Sequence, residues 1–313
     1  MLNITFDVGG TGIKVIVFEE NKEIETKYLN HSNQMQIGEN LMLKTPLIDV
    51  LKKISEVLDN VNEEFNLAIS FPGIIDTKNK KVLAPSSIIN VDEDLVAYFK
   101  KYKKLKNFVI ANDAKAAVIG EYQERIKKDQ SITNMVHLTI GTALGAGIII
   151  NKEVVEGKSF QAGEIGKMYS SLEKNNPSVV AIDTGMGTLL LKYWLETQTK
   201  ISGEEFFELF NNHNQLAVEM MDDFTSHIAK LIINLDYMLD IDLITIGGGV
   251  SANPQFIKMI KNKITKHKDF YWNETIVYSN HHIEGKFDES ILKNKAACYG
   301  GLYLLNKEKE KNA

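Results

Sequence analysis

Two carboxylates stand where chemistry would need them. Asp7 opens "DVGGTGIK" directly after the apolar run "LNITF", at a strand end and against a glycine turn. Glycines at such a turn let backbone N–H groups approach phosphate oxygens with no Cβ in the way, and the Thr11 hydroxyl adds a donor. A carboxylate beside phosphates repels them unless a Mg²⁺ ion or its water shell lies between. Asp7 therefore reads either as a metal-side ligand, direct or through water, or as an acceptor for the turn's own backbone. Asp113 ends the strand-like "FVIAND" just before an alanine-rich helical stretch. A carboxylate held there can take the proton of a hydroxyl that attacks phosphorus, or it can simply cap the helix.

Two further glycine turns follow apolar runs, Gly141–Thr142 in "TIGTALGAG" and Gly247–Gly249 in "TIGGGVS". Ligands of alternating α/β architectures bind at the carboxyl ends of strands, where all three turns fall. Each alone is equally well a tight hairpin that needs positive φ; three in matched positions favour binding. The dinucleotide fingerprint requires a helix after its glycines, but "IKVIVF" is β-branched and reads as a strand. The P-loop pattern is absent from the chain.

The elements that must hold these residues follow from periodicity. "LNITF", "KVIVF" and "EIETKYL" read as three strands of an antiparallel meander. Leu47, Val50, Leu51, Ile54, Val57, Leu58 and Val61 take helical spacing before the buried strand "NLAISFPG". "EDLVAYFKKYKKL" is predicted helical ahead of "NFVIAND". A second series begins at "NMVHLTIGTALGAGIIINKEVV" and resembles the first, which suggests a degenerate internal repeat. Helices are expected over "GTLLLKYWLETQ", "EEFFELFNN" and a long stripe from Phe224 to Leu239, with Asn253 and Pro254 starting another. The expected division is an N-terminal α/β lobe over 1–120 and a C-terminal α/β lobe over 121–287. A last helix over 288–305 packs back on the first lobe, and the charged tail beyond it is expected to fray.

Composition sets outer bounds. In 313 residues, 36 Lys and Arg face 41 Asp and Glu for a net charge of −5, so no overall field draws the chain to nucleic acid or an anionic membrane. There is no leader-like start and no apolar run of about 18 residues, so the expected location is the cytoplasm. The single cysteine, Cys298, provides neither an internal disulfide nor a metal cluster.

Taken in order, "DVGGTGIK", "SFPGIID", "ANDAKAA", "TIGTALGAGI", "EGKSFQAGEIGKM" and "TIGGGVS" resemble the motifs of the ROK family of sugar kinases, within the actin-like ATPase superfamily. The resemblance spans residue 2 to about 305. It implies a two-lobed α/β fold of the actin-like, ribonuclease H-like type with a central cleft, ATP and Mg²⁺ as cofactors, a sugar as the other small-molecule partner, and a homodimer. By the same resemblance Asp7, Gly9, Gly10, Thr11 and Lys14 face the metal and the transferred phosphate. Gly141 and Thr142 hold the other phosphates, and Gly247, Gly248 and Gly249 border the adenosine. Asp113 is the base on the sugar 6-hydroxyl, Asn112 and Glu164 bind other hydroxyls, and Gly73 shapes the sugar side.

Two positions depart from the family pattern. Zinc-containing members carry Glu-x-Gly-His and a cysteine cluster, whereas this chain has Glu164-Ile165-Gly166-Lys167 and no cysteine before Cys298, so no zinc site is expected. Lys167, on the sugar's C1–C2 edge, cannot accept a hydrogen bond as a neutral imidazole can. Ala143 replaces a glycine and is strained only if its φ is positive. Among members without zinc, β-glucoside kinases and N-acetylmannosamine kinases resemble it, and the opened C1 side favours a β-glucoside. The family also includes repressors with an added helix-turn-helix. That reading, a sugar-responsive regulator, is disfavoured because the phosphate motif starts at Asp7. Nucleic acid is also not expected at "KKYKKLK", read as a solvated helix end. Actin-like phosphatases and chaperones leave ATP hydrolysis without a sugar as a further alternative. His137, His281 and His282 read as structural or solvent-facing.

Overall fold

The apolar run before the first glycines forms β1 (Leu2–Val8), which turns into β2 (Gly12–Glu19) and then β3 (Lys22–Asn30) as an antiparallel meander. The computed structural model describes residues 1–31, 35–36 and 43–312. Two further strands, β4 (Phe65–Phe71) and β5 (Leu105–Asn112), add in parallel to give the sheet order β5-β4-β1-β2-β3. Every residue of β4 is buried, as befits a central strand covered on both faces. On one face α1 (Leu47–Leu58) sets Leu47, Val50, Leu51, Ile54 and Leu58 into a core with Ile4, Phe6 and Leu67. Elsewhere on the sheet α9 (Ala296–Asn312) lays Cys298 and Leu302 against Ile16 and Phe18. It lies beside α3 (Asp113–Ile126) so closely that a Cβ at Gly120 would overlap the Ala296 carbonyl and one at Gly300 the Ala116 carbonyl. These elements form one unit, Met1–Lys127 with Val154–Ala162 and Lys295–Ala313.

The second unit, Lys128–Glu153 with Gly163–Asn294, repeats the plan. A meander of β6 (Met135–Ile140), β7 (Leu144–Ile150) and β8 (Glu153–Val154) is joined by β9 (Leu243–Gly247). A separate hairpin, β10 (Asp269–Trp272) with β11 (Thr275–Ser279), precedes β12 (Phe287–Glu289), and the main sheet order is β8-β7-β6-β9-β12. In both units the first strand pairs antiparallel with the next and parallel with a later one. The repeat is thus one of topology. Helices α4 (Val180–Thr184), α5 (Met186–Thr197), α6 (Gly203–Asn211), α7 (Gln215–Leu239) and α8 (Pro254–His267) complete this unit. Asn253 caps α8 by accepting from Gln255 N–H, with Pro254 in the first turn.

Three elements differ from the periodicity. The helix expected through "KKYKKL" is only α2 (Leu95–Phe99), because Tyr102 and Leu105 leave the helix for a turn and for β5. Its lysines are not a bare solvated face. Lys101 sits over the Tyr98 and Tyr102 rings at 4.6 and 5.0 Å, Lys104 donates to the Asn62 carbonyl, and Lys106 pairs with Glu64 at 2.6 Å. The final helix begins at Ala296, not 288: Phe287 is buried in a strand parallel to β9, and Ser290 N–H donates to the Ile246 carbonyl. The charged tail stays helical to Asn312, and Lys309 reaches the Asn3 side chain at 2.9 Å. On α7 the apolar stripe enters the core as far as Leu235, while Met238 is 57% exposed.

Candidate active site

In the first unit the candidate residues gather at the carboxyl ends of adjacent parallel strands. Asp7, at the end of β1, lies opposite Lys14 in the hairpin register. Burial pushes its carboxyl up to about 6, and Lys14 draws it down only in part. Burial likewise pushes the Lys14 ammonium below its usual range, with Asp7 opposing. The turn that follows is closed by Gly9 N–H donating to the Gly12 carbonyl at 2.8 Å. His31 Nε2 donates to the Gly9 carbonyl at 2.7 Å, since that oxygen only accepts. Thr11 Oγ1 lies 3.3 Å from the Tyr28 hydroxyl.

Gly9 and Gly10 do not adopt left-handed φ, so the turn does not need glycine on conformational grounds. A Cβ at Gly10 would meet the Ser87 side chain only at an ordinary 3.5 Å. What their missing side chains leave open is access to the backbone. Gly73 is different. Its φ is +103°, and a Cβ would come within 2.7 Å of the Ala84 carbonyl, so the fold itself requires glycine there.

Asn112 and Asp113 end β5 and begin α3. Asn112, not Asp113, is the cap: its Oδ1 accepts from Lys115 N–H at 3.0 Å. Both hydrogens of its amide are committed as well, one to the Gly73 carbonyl at 2.9 Å and one to Asp113 Oδ1 at 3.0 Å. Asp113 Oδ1 also accepts from Ala114 N–H at 2.8 Å. The carboxylate is therefore held in one orientation by its neighbours on both sides. Asn112 ties that orientation to the Gly73 turn.

Lys115 was not singled out by its sequence. It is buried, and its amine donates to the Phe160 carbonyl at 2.8 Å and reaches that of Glu156 at 3.5 Å. Thr77 donates to the Glu156 carboxylate at 2.8 Å. Together they fasten Val154–Ala162 to this unit. The only sequence signal was a lysine amid the alanines of "NDAKAA", on a helix face too small-sided to be exposed. His31 carried no signal, because its partner is a backbone carbonyl 22 residues away.

The remaining candidates belong to the second unit. Gly141 follows β6, and the turn closes by Gly141 N–H to the Ala143 carbonyl at 3.0 Å. The Gly141 and Thr142 carbonyls accept from Met186 and Gly187 N–H, at the start of α5. A Cβ at Gly141 would meet nothing within 4 Å. Ala143 does not have positive φ, so alanine is accommodated without strain. At the end of β9, Gly247 packs on the His137 ring and Gly248, at φ +87°, on the Ile140 carbonyl, while Gly249 is open. Ile140 ends β6, so the Gly141 and Gly247–Gly249 turns lie side by side. His137 is buried and bonded to Thr245 within the sheet at 2.8 Å, a structural residue.

Glu164 directly precedes a 3-10 turn, Ile165–Lys167, and makes no side-chain cap to it; the turn lies close on β7 through Gly163 and Gly166. A Cβ at Gly163 would approach the Ala146 carbonyl to 2.7 Å and one at Gly166 the Leu144 carbonyl to 3.1 Å. Lys167 pairs with Glu164 itself, Nζ to Oε2 at 2.9 Å. Lys167 is largely in solvent, so the pair adds little stability, but it gives the glutamate a cationic partner.

Gly9 and Gly10, beside a partly buried carboxylate that Lys14 compensates only in part, fit a phosphate chain carrying a cation. Comparisons with known proteins agree with that chemistry. A β-glucoside kinase of Listeria monocytogenes is 26% identical over 314 residues, 98% of each chain. An N-acetylmannosamine kinase of Haemophilus influenzae is 25% identical over 279 residues, 86% of this chain and 87% of the relative. Among solved structures, a Listeria monocytogenes protein described as a candidate N-acetylmannosamine kinase superposes with a TM-score of 0.78 at 27% identity, covering 99% of this chain and all of the other. A Streptomyces griseus ROK glucokinase, solved with glucose and AMPPNP, shares the fold at a TM-score of 0.77 and 20% identity, over 98% of this chain and 100% of its own. The fold is of the actin-like ATPase type. The ROK family model matches residues 3–308, and the chain belongs to the ROK family.

Proposed function

We propose that this ROK-family sugar kinase transfers the γ-phosphoryl group of ATP to the 6-hydroxyl of a hexose or hexose glycoside, with a β-glucoside such as cellobiose, or glucose itself, as acceptor. The observation that carries the reading is the fixed Asp113 carboxylate, oriented by Ala114 N–H and the Asn112 amide beside the Gly73 turn. In the step, the 6-hydroxyl oxygen bonds to the γ-phosphorus as the bond to the bridging oxygen of ADP breaks, and the hydroxyl proton passes to Asp113. Asp7 takes Mg²⁺, directly or through water; the bound ion neutralises phosphate charge. Lys14, Thr11 and the backbone of Gly9 and Gly10 receive the transferred phosphate, Gly141 and Thr142 the other phosphates, and Gly247–Gly249 the adenosine. Gly73, Asn112, Glu164 and Lys167 line the sugar. Asn112 has its amide hydrogens committed, so it contacts sugar through Oδ1 and otherwise positions Asp113. No zinc takes part. Cytoplasmic location and a homodimeric assembly belong to the same reading.

The Haemophilus relative supports a second acceptor, N-acetylmannosamine. Presenting cellobiose, glucose and N-acetylmannosamine in turn with Mg²⁺-ATP distinguishes the two, and exclusive use of the amino sugar overturns the β-glucoside assignment. Asp113→Asn should lower phosphoryl transfer by roughly 10²- to 10⁴-fold while ATP binding persists. Kinase activity retained in that variant removes Asp113 as the base. Sugar-independent ATP turnover, or none with any sugar, removes the kinase reading.

A further inference from the structure

The glycine pair that opens the first turn to a phosphate also makes that turn hard to hold in one orientation. Gly9 N–H is committed to the Gly12 carbonyl at 2.8 Å. The next peptide, Gly9–Gly10, is trans, so its carbonyl and its N–H point in opposite directions. With no Cβ on either residue this peptide can turn over, because the flip carries Gly10 to positive φ, which glycine enters about as readily as negative φ. His31, directly after β3, bears on that choice. Its Nε2–H donates to the Gly9 carbonyl at 2.7 Å, and its Nδ1 is buried with no partner among the described residues. Tyr28 of β3 lies on Gly12, where a Cβ would come within 2.5 Å of its hydroxyl, and that hydroxyl is 3.3 Å from Thr11 Oγ1. The end of β3 thus braces the turn at both of its ends.

We infer that His31 is a positioning residue for phosphoryl transfer. Its bond to the Gly9 carbonyl keeps that oxygen turned away from the nucleotide, and so keeps the Gly10 N–H turned toward the transferred phosphate. The inference rests on the reading above in which this turn meets that phosphate. A flipped peptide would set a carbonyl oxygen against phosphate oxygens, like partial charge against like, and would withdraw a donor at the same time. The glycines supply access and His31 supplies direction. The imidazole needs no contact with the nucleotide, because its effect passes through the Gly9–Gly10 peptide.

Nucleotide binding measured by calorimetry with Mg²⁺ and no sugar tests this. ADP lacks the transferred phosphate and serves as the internal reference. His31→Ala should weaken binding of the β,γ-imido analogue of ATP about tenfold, the worth of one hydrogen bond, and leave ADP affinity within about twofold. A glutamine side chain places its amide nitrogen near the position of Nε2, an asparagine near that of Nδ1. His31→Gln should therefore restore most of the preference for the triphosphate, and His31→Asn should not. That pair carries the comparison by itself if the alanine variant does not fold. A merely structural histidine would weaken both nucleotides together, and glutamine and asparagine would behave alike. Equal losses for ADP and the analogue, an undiminished preference in His31→Asn, or no rescue by His31→Gln would each overturn the inference. Wild-type phosphorylation of the three sugars, run alongside, keeps the two readings apart. A wild type that binds the analogue but phosphorylates no sugar overturns the kinase, while the binding series still decides the role of His31; one that binds neither nucleotide overturns both.

Discussion

Asp7 is a carboxylate whose place in the fold works against its charge. Its burial outweighs the help of Lys14 across the hairpin and raises the carboxyl from 3.8 to about 6. Between those values the folded, metal-free protein keeps a proton that the unfolded chain has released. The folded state then binds more protons, so this residue's contribution to stability falls as pH rises from about 4 to 6 and stays low above. Asp7→Asn, measured by urea unfolding with a chelator present, should match wild type near pH 4 and exceed it above pH 6 by about 1–3 kcal/mol. A difference that does not vary with pH would contradict the shift. The same variant should bind Mg²⁺-ATP at least tenfold more weakly, because the charge that destabilises the empty turn is the one proposed to meet the ion. At this scale the sequence showed that Asn112 and Asp113 stand at a helix start, but not which of them caps it. That depends on a one-residue choice of hydrogen bonds, which propensity does not resolve.

At the scale of elements, the glycines divide by what surrounds them. Gly120 and Gly300 let α3 and α9 meet backbone to backbone, and α3 carries Asp113 at its first position. Gly300→Ala would drive a methyl group into the Ala116 carbonyl. It should cost about 3 kcal/mol or more in unfolding free energy, and by shifting α3 it should lower kcat/KM. Gly141 and Gly249 have ordinary φ and nothing within 4 Å of a Cβ. Alanine at either should change stability by less than about 0.5 kcal/mol yet weaken ATP binding at least tenfold, measured by calorimetry. If Gly141→Ala leaves ATP affinity intact, the open turn is not a phosphate site. The strands and turns that bear these glycines were legible because apolar runs and Gly pairs mark them locally. The short strand Phe287–Glu289 was not, since "DESILKNK" reads as helical, while its first two residues, Asp288 and Glu289, are held extended by pairing beside β9. Likewise α2 stops at Phe99 because Tyr102 and Leu105 are needed in the turn and in β5.

For the whole molecule, the repeat visible as two similar runs of sequence proves to be two sheets of one connectivity, a meander followed by two parallel strands. Sequence could suggest this because each glycine turn recurs at the same place in the plan. It could not show that Val154–Ala162 joins the first unit, because that rests on Lys115 and Thr77 gripping backbone and carboxylate far along the chain. Net charge bears on the remaining alternative, a sugar-responsive regulator that binds DNA. Tight duplex binding draws on released counterions and needs a field of unengaged cations. Here acidic residues outnumber basic ones by 41 to 36. The one basic run has Lys101 over two tyrosine rings, Lys104 on a carbonyl and Lys106 on Glu64. Each would have to exchange an internal partner for a phosphate. Random duplex DNA at physiological salt should therefore show no mobility shift with the protein at up to about 10 μM, while lowering the salt should produce only weak retention with a shallow dependence of affinity on salt. Nanomolar binding that persists at physiological salt, in a protein that phosphorylates no sugar, would replace the kinase by the regulator.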